Sequence, residues 1–391
     1  MAEQLTYVLI SPYSIYKSRT GGILGRLMTR TGLDLVAARM FAPGEALVRE
    51  YAGTIRLDGA TKQQARVLEL IRHYLLTKLM PDPRTGQRRR ALMLLFKGEN
   101  AIEKMARAVG TVTFEPRVGE TIRDTYGDLI LGADGEVTHF EPAVLVPMDV
   151  EEADEDIRIW AKHSDRDGGL LEGVIKHPTG THPERTLVLL KPDNFKFASG
   201  RPGNILDMFS GTGLFIVACK VQRMSVAEAE QFYGPVRDVL RAKMGEISGA
   251  RIKEVIEKEF SLSLPEAIEK KVIHDVAPVI ADNHFNNIIK FMTGRSPVEC
   301  GATDKRDCGS EKCVAVVYEG ASAVKKIRNV LGPTDPRKAP PGTVRRELGS
   351  DVMVNAAHAS DSPENAAREM KIINIGENNF KKTAEEFYGK I

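Results

Sequence analysis

Short apolar runs recur along the chain in two series of three. They lie at 6–10, 33–38 and 92–96 in the first series, and at 186–190, 214–219 and 314–318 in the second. Such runs are typical of central strands that are buried on both faces. Helical spacing follows the third run of each series, at 101–109 and 321–331, where Gly110 and Gly332 are predicted C-caps. Strands that alternate with helices, without a long parallel series, predict an α+β sandwich.

The two series belong to an internal repeat. Thr6-Tyr-Val-Leu-Ile-Ser-Pro parallels Thr186-Leu-Val-Leu-Leu-Lys-Pro, and Thr121-Ile-Arg parallels Thr343-Val-Arg. Self-similarity of this kind indicates two copies of one domain. We assign the first copy to residues 1–148 and the second copy to residues 185–391.

The segment between the copies, 149–184, is predicted to be a linker. It begins with an acidic run and ends in a stretch rich in proline and glycine, a composition that suits a flexible connection. Trp160 is the sole tryptophan of the chain. We expect it either in a docked helical turn or simply packed against one of the copies.

The two copies differ at the positions of the polar residues that are candidates for function. Arg123 keeps the residue type of Arg345, but three functional candidates of the second copy have small or apolar counterparts in the first. The pairs are Lys191 and Ser11, Arg328 and Ala106, and Thr334 and Val112. His139 could align with His358, although the spacing differs. The pattern predicts a first copy that keeps the scaffold but neither binds a triphosphate nor turns over.

Two stretches of the second copy are predicted insertions, near 242–283 and 299–312. The first has the spacing of a helix. The second holds Cys300 and Cys308 and ends just before Cys313. Three thiolates could bind zinc, but a closed zinc site needs four ligands, so free thiols or a redox pair are the preferred interpretation.

Composition and charge are those of an ordinary globular protein. Of 391 residues, 42% are hydrophobic and 28% charged. The net charge of +2 gives no global field that favours nucleic acid or an anionic membrane. Four cysteines in a chain of this length predict no disulfide framework. Neither a signal peptide nor a membrane span is visible, so we expect a cytoplasmic location.

The most informative stretch surrounds His358. It reads Asn355-Ala-Ala-His-Ala-Ser-Asp-Ser-Pro-Glu. Asp361 and Ser362 before Pro363 predict a helix start, with a capping oxygen and then proline at the first helical position. The small neighbours leave the imidazole room to face a ligand. Neutral imidazole can act as a nucleophile near pH 7, and a merely hydrogen-bonded surface histidine is the alternative.

This stretch, N-x-x-H-x-S-D-S with a glutamate at position 369, resembles the active-site motif of nucleoside diphosphate kinases. The run 185–193 is similar to that family's first strand and phosphate lysine, and 314–320 is similar to its third strand. The region 328–345 resembles its nucleotide-holding loop. The resemblance implies a ferredoxin-like βαββαβ fold for each of the two tandem copies.

The resemblance also implies a phosphotransfer site. His358 would take the γ-phosphoryl group of a nucleoside triphosphate on Nδ1 and pass it to a nucleoside diphosphate, while Glu369 and Ser360 orient the ring. Lys191 would bring a point charge to the phosphates. The other implied nucleotide-binding residues are Phe285, Ile288, Arg328, Thr334, Arg345 and Asn355. Mg²⁺ would arrive on the nucleotide phosphates, without a cage of protein carboxylates.

The alternative function is a nucleotide-binding regulatory or structural protein with little turnover. It is suggested by the two insertions and by Ala359, which stands where the family usually has glycine. The family also implies pairing of domains, so we expect an intramolecular pseudo-dimer that can assemble further into a homo-oligomer. Nucleotides are the expected partners, and neither a membrane nor a specific nucleic acid is expected.

Overall fold

The apolar runs predicted as strands form two four-stranded sheets in the computed structural model, which describes residues 3–113 and 119–391. The strands are β1 (Glu3–Ile10), β2 (Asp34–Phe41), β3 (Ala91–Glu99), β4 (Asp128–Leu131), β5 (Val137–Glu141), β6 (Val144–Leu145), β7 (Glu184–Leu190), β8 (Phe215–Gln222), β9 (Cys313–Gly320) and β10 (Ala357–Ala359). The six predicted strands are all confirmed, with ends shifted by a few residues.

The strand order is the same in both sheets. The first runs β2-β3-β1-β6 and the second runs β8-β9-β7-β10. The central strand β1 is antiparallel to β3 and β6, and β7 is antiparallel to β9 and β10. This order agrees with the predicted βαββαβ arrangement. The strands β4 and β5 form a separate hairpin with no counterpart among the strands of 185–391.

Helices connect the strands and flank the sheets. They are α1 (Pro12–Tyr16), α2 (Thr20–Thr31), α3 (Glu45–Ala52), α4 (Lys62–Tyr74), α5 (Ala101–Val109), α6 (Ile122–Tyr126), α7 (Val150–Asp167), α8 (Arg201–Ser210), α9 (Val226–Phe260), α10 (Glu266–Thr293), α11 (Ala323–Leu331), α12 (Val344–Leu348), α13 (Pro363–Ile372) and α14 (Asn379–Tyr388). Gly110 and Gly332 end α5 and α11 with φ of +81° and +82°, which confirms the predicted C-caps. In the part of the chain that the structure describes, no helix is long and apolar enough to cross a membrane.

The chain divides into two compact units, Met1–Val221 together with Val314–Ile391, and Gln222–Cys313. Both sheets lie in the first unit. The second unit is built on α9 and α10, which pack along each other around buried Met244, Ala277 and Ala281. The prediction of helical structure at 242–283 is confirmed, although α9 begins before those limits and α10 ends after them, with Pro235 and Pro278 inside the helices.

The predicted linker is helical over its first half, which corrects the expectation of a flexible connection there. Asp149 caps α7 by accepting a hydrogen bond from the Glu152 amide. Acidic residues in a first helical turn complement the helix dipole, so the acidic run is a helix start. Trp160 is fully buried, with its ring 4.8 Å from that of Phe41 and 5.4 Å from that of Tyr51. The expected docking of Trp160 is thus confirmed.

The first sheet and the second sheet meet through α2 and α8. These two helices approach so closely that a Cβ added to Gly203 would lie 2.3 Å from the backbone oxygen of Gly21 and 2.3 Å from the backbone nitrogen of Gly25. Side chains larger than hydrogen are therefore excluded at this crossing. Helix α14, at the end of the second copy, packs Phe380 and Ala384 into the core of the first sheet.

Candidate active site

His358 lies at the centre of β10, an edge strand of the second sheet. Its backbone pairs with Leu189 of β7, and its side chain is 22% exposed. Ala356, just before the strand, has φ of +69°, a left-handed conformation that alanine adopts only where its surroundings impose it. The Ala356 carbonyl accepts hydrogen bonds from the Lys191 amide at 3.0 Å and from the Asn194 side chain at 2.6 Å. These contacts fix the backbone direction on entry to His358.

The imidazole of His358 is held by a buried carboxylate. Its Nε2 lies 2.9 Å from Oε2 of Glu369, and Oγ of Ser360 donates to the same oxygen at 2.6 Å. A carboxylate accepts hydrogen bonds, so the proton of the His358 contact sits on Nε2 and the lone pair of the neutral ring is on Nδ1. Glu369 is only 4% exposed, which keeps this contact away from bulk water. Glu369 and Ser360 therefore lie where they can fix the tautomer and orientation of the ring.

Glu369 reaches His358 because α13 begins where the sequence predicts. The Ser362 side chain accepts a hydrogen bond from the Asn365 amide, and Pro363 occupies the first turn. Starting there, the second turn of the helix brings Glu369 onto its buried face together with Ala366. The predicted helix start is confirmed.

Lys191, directly after β7, is joined to Asn355 in a closed network. Its Nζ donates to Oδ1 of Asn355 at 2.7 Å and to the Met353 carbonyl at 2.9 Å. The Asn355 amide nitrogen donates in turn to the carbonyls of Thr334, at 3.0 Å, and Val352, at 2.9 Å. Lys191 is 8% exposed and Asn355 is 1% exposed. The two predicted residues are brought together, and both hold the loop that precedes β10.

Arg345 and the loop after α11 complete the surroundings of β10. The Arg345 guanidinium donates through Nη1 to the Gly332 carbonyl and through Nη2 to the Ala357 carbonyl, both at 3.1 Å. The Thr334 side chain is exposed. Arg345 thus ties the loop at Gly332 to the strand that carries His358.

Arg328 lies apart from this network, on the exposed side of α11. It lines a recess of about 540 Å³ together with His182, Lys325 and Asp361. Neither Lys191 nor His358 lines this recess.

Three supporting residues were missed from the sequence. Arg201 donates to Asp193 at 3.2 Å and to Oδ1 of Asn194 at 3.3 Å, and Asn194 donates to the carbonyls of Lys191 and Ala356. Burial raises the pKa of Asp193 although Lys191 and Arg201 oppose that shift. The sequence feature that points to two of them is the polar pair Asp193-Asn194 directly after a buried strand, a position where side chains commonly carry function.

The two residues expected to hold the base lie in the other compact unit. Phe285 and Ile288 are on α10, where Phe285 is 3% exposed and the guanidinium carbon of Arg237 lies 5.3 Å from its ring centroid. Contact of Phe285 and Ile288 with a nucleotide base stays a prediction.

The described residues contain no group of three or more histidine, cysteine, aspartate or glutamate side chains arranged to hold a metal ion. None of Cys300, Cys308 and Cys313 forms a disulfide bond within the described residues. They give no support to the zinc alternative.

The first copy has the same backbone at the equivalent end of its sheet. Ser11, after β1, donates its amide to the Ala143 carbonyl at 3.1 Å, and Ala143 has φ of +63°. Arg123 donates through Nη1 to the Gly110 carbonyl and through Nη2 to the Val144 carbonyl. These contacts reproduce those of Arg345.

The sheet register corrects the proposed alignment of His139. Leu9 pairs with Leu145 in the first sheet, whereas the corresponding Leu189 pairs with His358 in the second. Leu145 therefore occupies the position of the histidine. His139 lies on β5, opposite Ile130, because the extra hairpin takes up the residues that the sequence comparison had aligned with β10.

Comparison with known proteins identifies the family of the second copy. A family model described as nucleoside diphosphate kinase matches residues 302–377. The nucleoside diphosphate kinase of Staphylothermus marinus is 31% identical over 190 residues, which are 49% of this chain and 92% of that protein. The nucleoside diphosphate kinase of Pyrobaculum aerophilum is 31% identical over 198 residues, which are 48% of this chain and 93% of that protein.

A crystal structure of an NDP kinase from Pyrobaculum aerophilum is 31% identical, covering 49% of this chain and 95% of that one, with a TM-score of 0.35 that adds nothing on the fold. The sequence likeness covers about half of this chain but nearly the whole of each curated relative. The chain belongs to the nucleoside diphosphate kinase family.

Proposed function

We propose that the second copy is a nucleoside diphosphate kinase that works by ping-pong transfer through His358. The observation that carries the proposal is the contact of His358 Nε2 with buried Glu369, itself bonded to Ser360. An imidazole held in one tautomer by a buried carboxylate is prepared for nucleophilic attack through its other nitrogen. Family membership supports the same activity in general terms.

The transfer has two balanced halves. Nδ1 of His358 attacks the γ-phosphorus of a nucleoside triphosphate, so that an N–P bond forms, the bridging P–O bond breaks, and the nucleoside diphosphate leaves with its electron pair. A terminal phosphate oxygen of a second nucleoside diphosphate then attacks the phosphohistidine, and the N–P bond breaks to restore neutral imidazole. Each step needs an in-line approach and neutralisation of charge on the phosphoryl oxygens.

Lys191, Arg328 and Arg345 are the cations proposed to neutralise that charge. Lys191 supplies a point charge close to β10, and the two arginines supply planar donors that suit phosphate oxygens. Mg²⁺ would enter on the nucleotide as part of the substrate and shield the phosphates there. Thr334 and Asn355 are proposed to bind phosphate or ribose oxygens, and Phe285 and Ile288 the base.

The hydrogen bonds of Lys191, Asn355 and Arg345 imply an exchange of partners when substrate binds. All three donate to carbonyl or amide oxygens of the surrounding loop. A nucleotide phosphate is a stronger acceptor than these neutral oxygens. We therefore expect Lys191 to move from Asn355 towards the phosphates on binding.

The same hydrogen bonds favour a second candidate function, a nucleotide-binding regulatory or structural protein with little turnover. If Lys191, Asn355 and Arg345 keep their hydrogen bonds to the loop, Lys191 and Arg345 cannot neutralise the charge on the phosphoryl oxygens in the transition state. Ala359, the residue after His358 on β10, is 4% exposed and adds a buried methyl group. The two functions are separated by turnover, because both predict nucleotide binding.

We also propose that the two copies form an intramolecular pair that replaces a domain dimer. The glycine crossing of α2 and α8 and the packing of α14 on the first sheet support this proposal. Removing residues 1–150 would expose Phe380 and the Gly203 surface, so the truncated chain should self-associate or aggregate. Light scattering of both chains tests this, and a truncated chain that stays monomeric and fully active would refute it.

Initial-rate kinetics with a nucleoside triphosphate and a nucleoside diphosphate test the kinase proposal. Double-reciprocal plots at several fixed acceptor concentrations should be parallel, because the donor product leaves before the acceptor binds. Intersecting lines would mean direct transfer in a ternary complex. Nucleotide binding without measurable transfer would favour the regulatory candidate.

A further inference from the structure

A second cavity lies in the first copy, at the end of the first sheet where β1 finishes and β3 begins. Its volume is about 600 Å³, within the range of pockets that bind small molecules. Pro12 and Tyr13 line it next to Ser11, the counterpart of Lys191. The cavity therefore sits at the same end of its sheet as the candidate active site of the second copy.

The cavity is strongly basic. Its lining includes five cationic side chains, Lys78, Arg88, Arg89, Arg90 and Lys176, and one carboxyl group, that of Glu141. A concave surface with this excess of positive charge attracts an anion.

The three consecutive arginines are each anchored to the protein by one nitrogen. Nη1 of Arg88 donates to the Ala42 carbonyl and to Asp167, Nη1 of Arg89 donates to the Thr77 carbonyl, and Nη1 of Arg90 donates to the Ile216 carbonyl. In each guanidinium, Nε and Nη2 have no hydrogen-bond partner in the described chain. Three positioned forks of donors suit the oxygens of a phosphate or diphosphate group.

Two buried polar atoms of the lining have no hydrogen bond. The hydroxyl of Tyr74 and Oε2 of Glu141 make none within the described chain, although Tyr74 is 2% exposed and Glu141 is 4% exposed. Burial raises the pKa of both groups, and their mutual interaction raises the pKa of Tyr74 further and opposes the rise at Glu141, so the two lie close together without a well-formed hydrogen bond. Leaving such groups unpaired costs about 1–3 kcal/mol each unless a bound molecule satisfies them.

Aromatic rings complete the lining. Tyr13 and Tyr16 both face the cavity, and the Tyr16 side chain is 78% exposed. The guanidinium carbon of Arg19 lies 5.3 Å from the Tyr13 ring centroid. Exposed rings beside phosphate-binding donors provide a stacking surface for a planar group.

We propose that this cavity binds a phosphorylated small molecule that carries an aromatic ring, of the class of nucleotides, and holds it without transferring phosphate. The arginines would take the phosphate oxygens, Tyr74 and Glu141 would bond its hydroxyl or amino groups, and Tyr13 or Tyr16 would stack on the ring.

Transfer is not expected at this site because the nucleophile is absent. Leu145 stands at the strand position of His358, and Ser11 stands at that of Lys191. His139 is not among the residues that line the cavity. The proposal differs in one respect from the sequence-based expectation for the first copy, since binding is proposed there without turnover.

Calorimetric titration of the full chain with ADP, without any triphosphate, tests the proposal. Two ADP molecules should bind per chain, one in each copy. Lys176→Ala removes a cation from an exposed side chain, so it should weaken one of the two sites by about tenfold or more while kinase turnover stays unchanged. Arg72→Ala, an exposed arginine on α4 that does not line the cavity, is the matched control and should change neither site.

Inorganic pyrophosphate separates the contribution of the phosphates from that of the ring. Tyr16→Ala should weaken ADP at the affected site but leave pyrophosphate binding there unchanged, whereas Lys176→Ala should weaken both. A single ADP per wild-type chain whose binding is unaffected by both Lys176→Ala and Tyr16→Ala would overturn the proposal, whereas a single ADP that both variants weaken would place the failure in the second copy. A second site that is unaffected by both variants would also overturn the proposal. Kinase turnover is measured beside each titration, so failure of this site is distinguished from failure of the kinase proposal.

Discussion

The ends of the two sheets have the same backbone and different side chains. Ala143 and Ala356 share an unusual positive φ, and each accepts a hydrogen bond from the residue after the central strand. Despite this shared backbone, the first copy has Leu145 at the position where the second copy has His358. The backbone of this site is therefore kept where the histidine is absent, which means that the backbone geometry alone is not evidence of catalysis.

The arginine that both copies keep sharpens this distinction. Arg123 and Arg345 each bridge a C-capping glycine to the start of the last strand, although only the strand bound by Arg345 carries a histidine. A contact that persists without the chemistry has a structural role. We infer that the main role of Arg345 is structural and that phosphate binding is its second role. Lys191 and His358 are not kept as residue types in the first copy, so we infer that they act in the reaction.

The largest effect is expected when the histidine of the second copy is removed. His358→Ala should lower the rate of transfer by about 10⁴-fold or more, because the phosphoryl group then has no covalent carrier. A coupled assay of triphosphate formation measures the rate. His139→Ala is the matched control in the first copy and should leave the rate unchanged; a loss there would show that the first copy takes part in transfer.

A pH-dependent loss of stability should arise where α7 packs against the core of the first sheet. Burial raises the pKa of Asp156 from 3.8 to about 7, and Tyr7 donates to its carboxyl group at 2.7 Å. A raised carboxyl pKa gives stability that is complete below about pH 4 and is lost as pH rises to about 7, by up to about 4 kcal/mol.

Denaturant unfolding at a series of pH values measures that loss. Asp156→Asn keeps the shape of the protonated acid but cannot ionise. The free energy of unfolding of this variant should stay nearly level between pH 4 and pH 7 where the wild type falls. Parallel pH profiles for the two proteins would rule out Asp156 as the source.

Loss of the lysine after β7 should be the next largest effect. Lys191→Ala should lower kcat by about 10²–10³-fold, the usual cost of removing one preorganised group that stabilises transition-state charge. Steady-state kinetics measure it, with Lys196→Ala, an exposed lysine on the same segment, as control. A Lys191→Ala variant with normal kcat would mean that Lys191 remains bound to Asn355 throughout the reaction.

The smallest effect is expected from the retained arginines. Arg123→Ala breaks two hydrogen bonds to buried carbonyls and should lower the free energy of unfolding by about 3 kcal/mol without changing kcat. Arg345→Ala should cost similar stability and also reduce kcat. Urea unfolding with parallel kinetics checks both variants. If Arg345→Ala changed only kcat, the proposed structural role would be wrong.

The sequence predicted those parts of the fold that depend on local patterns. The six apolar runs became strands, and Gly110, Gly332 and Ser362 ended or started helices as expected, because periodicity and capping act over a few residues. The acidic run after Asp149 has the composition of a linker but forms the start of α7. Composition alone does not reveal that this helix is held in place by the packing of Trp160 against Phe41 and Tyr51.

The sequence predicted the contacts around His358 but not those that hold the neighbouring loop. The motif around His358 led to Glu369 and Ser360, and these contacts are present. The bonds of Arg345 to the backbone depend on register between distant segments, which no local pattern contains. For the same reason, the sequence alone does not show that Leu145, and not His139, occupies the strand position of His358.

The most direct test of the central claim is covalent labelling with γ-labelled ATP in the absence of acceptor. We predict one acid-labile, base-stable phosphoryl group per chain, recovered in the tryptic peptide 347–368 that contains His358, with label lost on addition of a nucleoside diphosphate. The His358→Ala variant should take up none. Label that survives in that variant, or that maps to the first copy, would contradict the assignment of all transfer chemistry to the second.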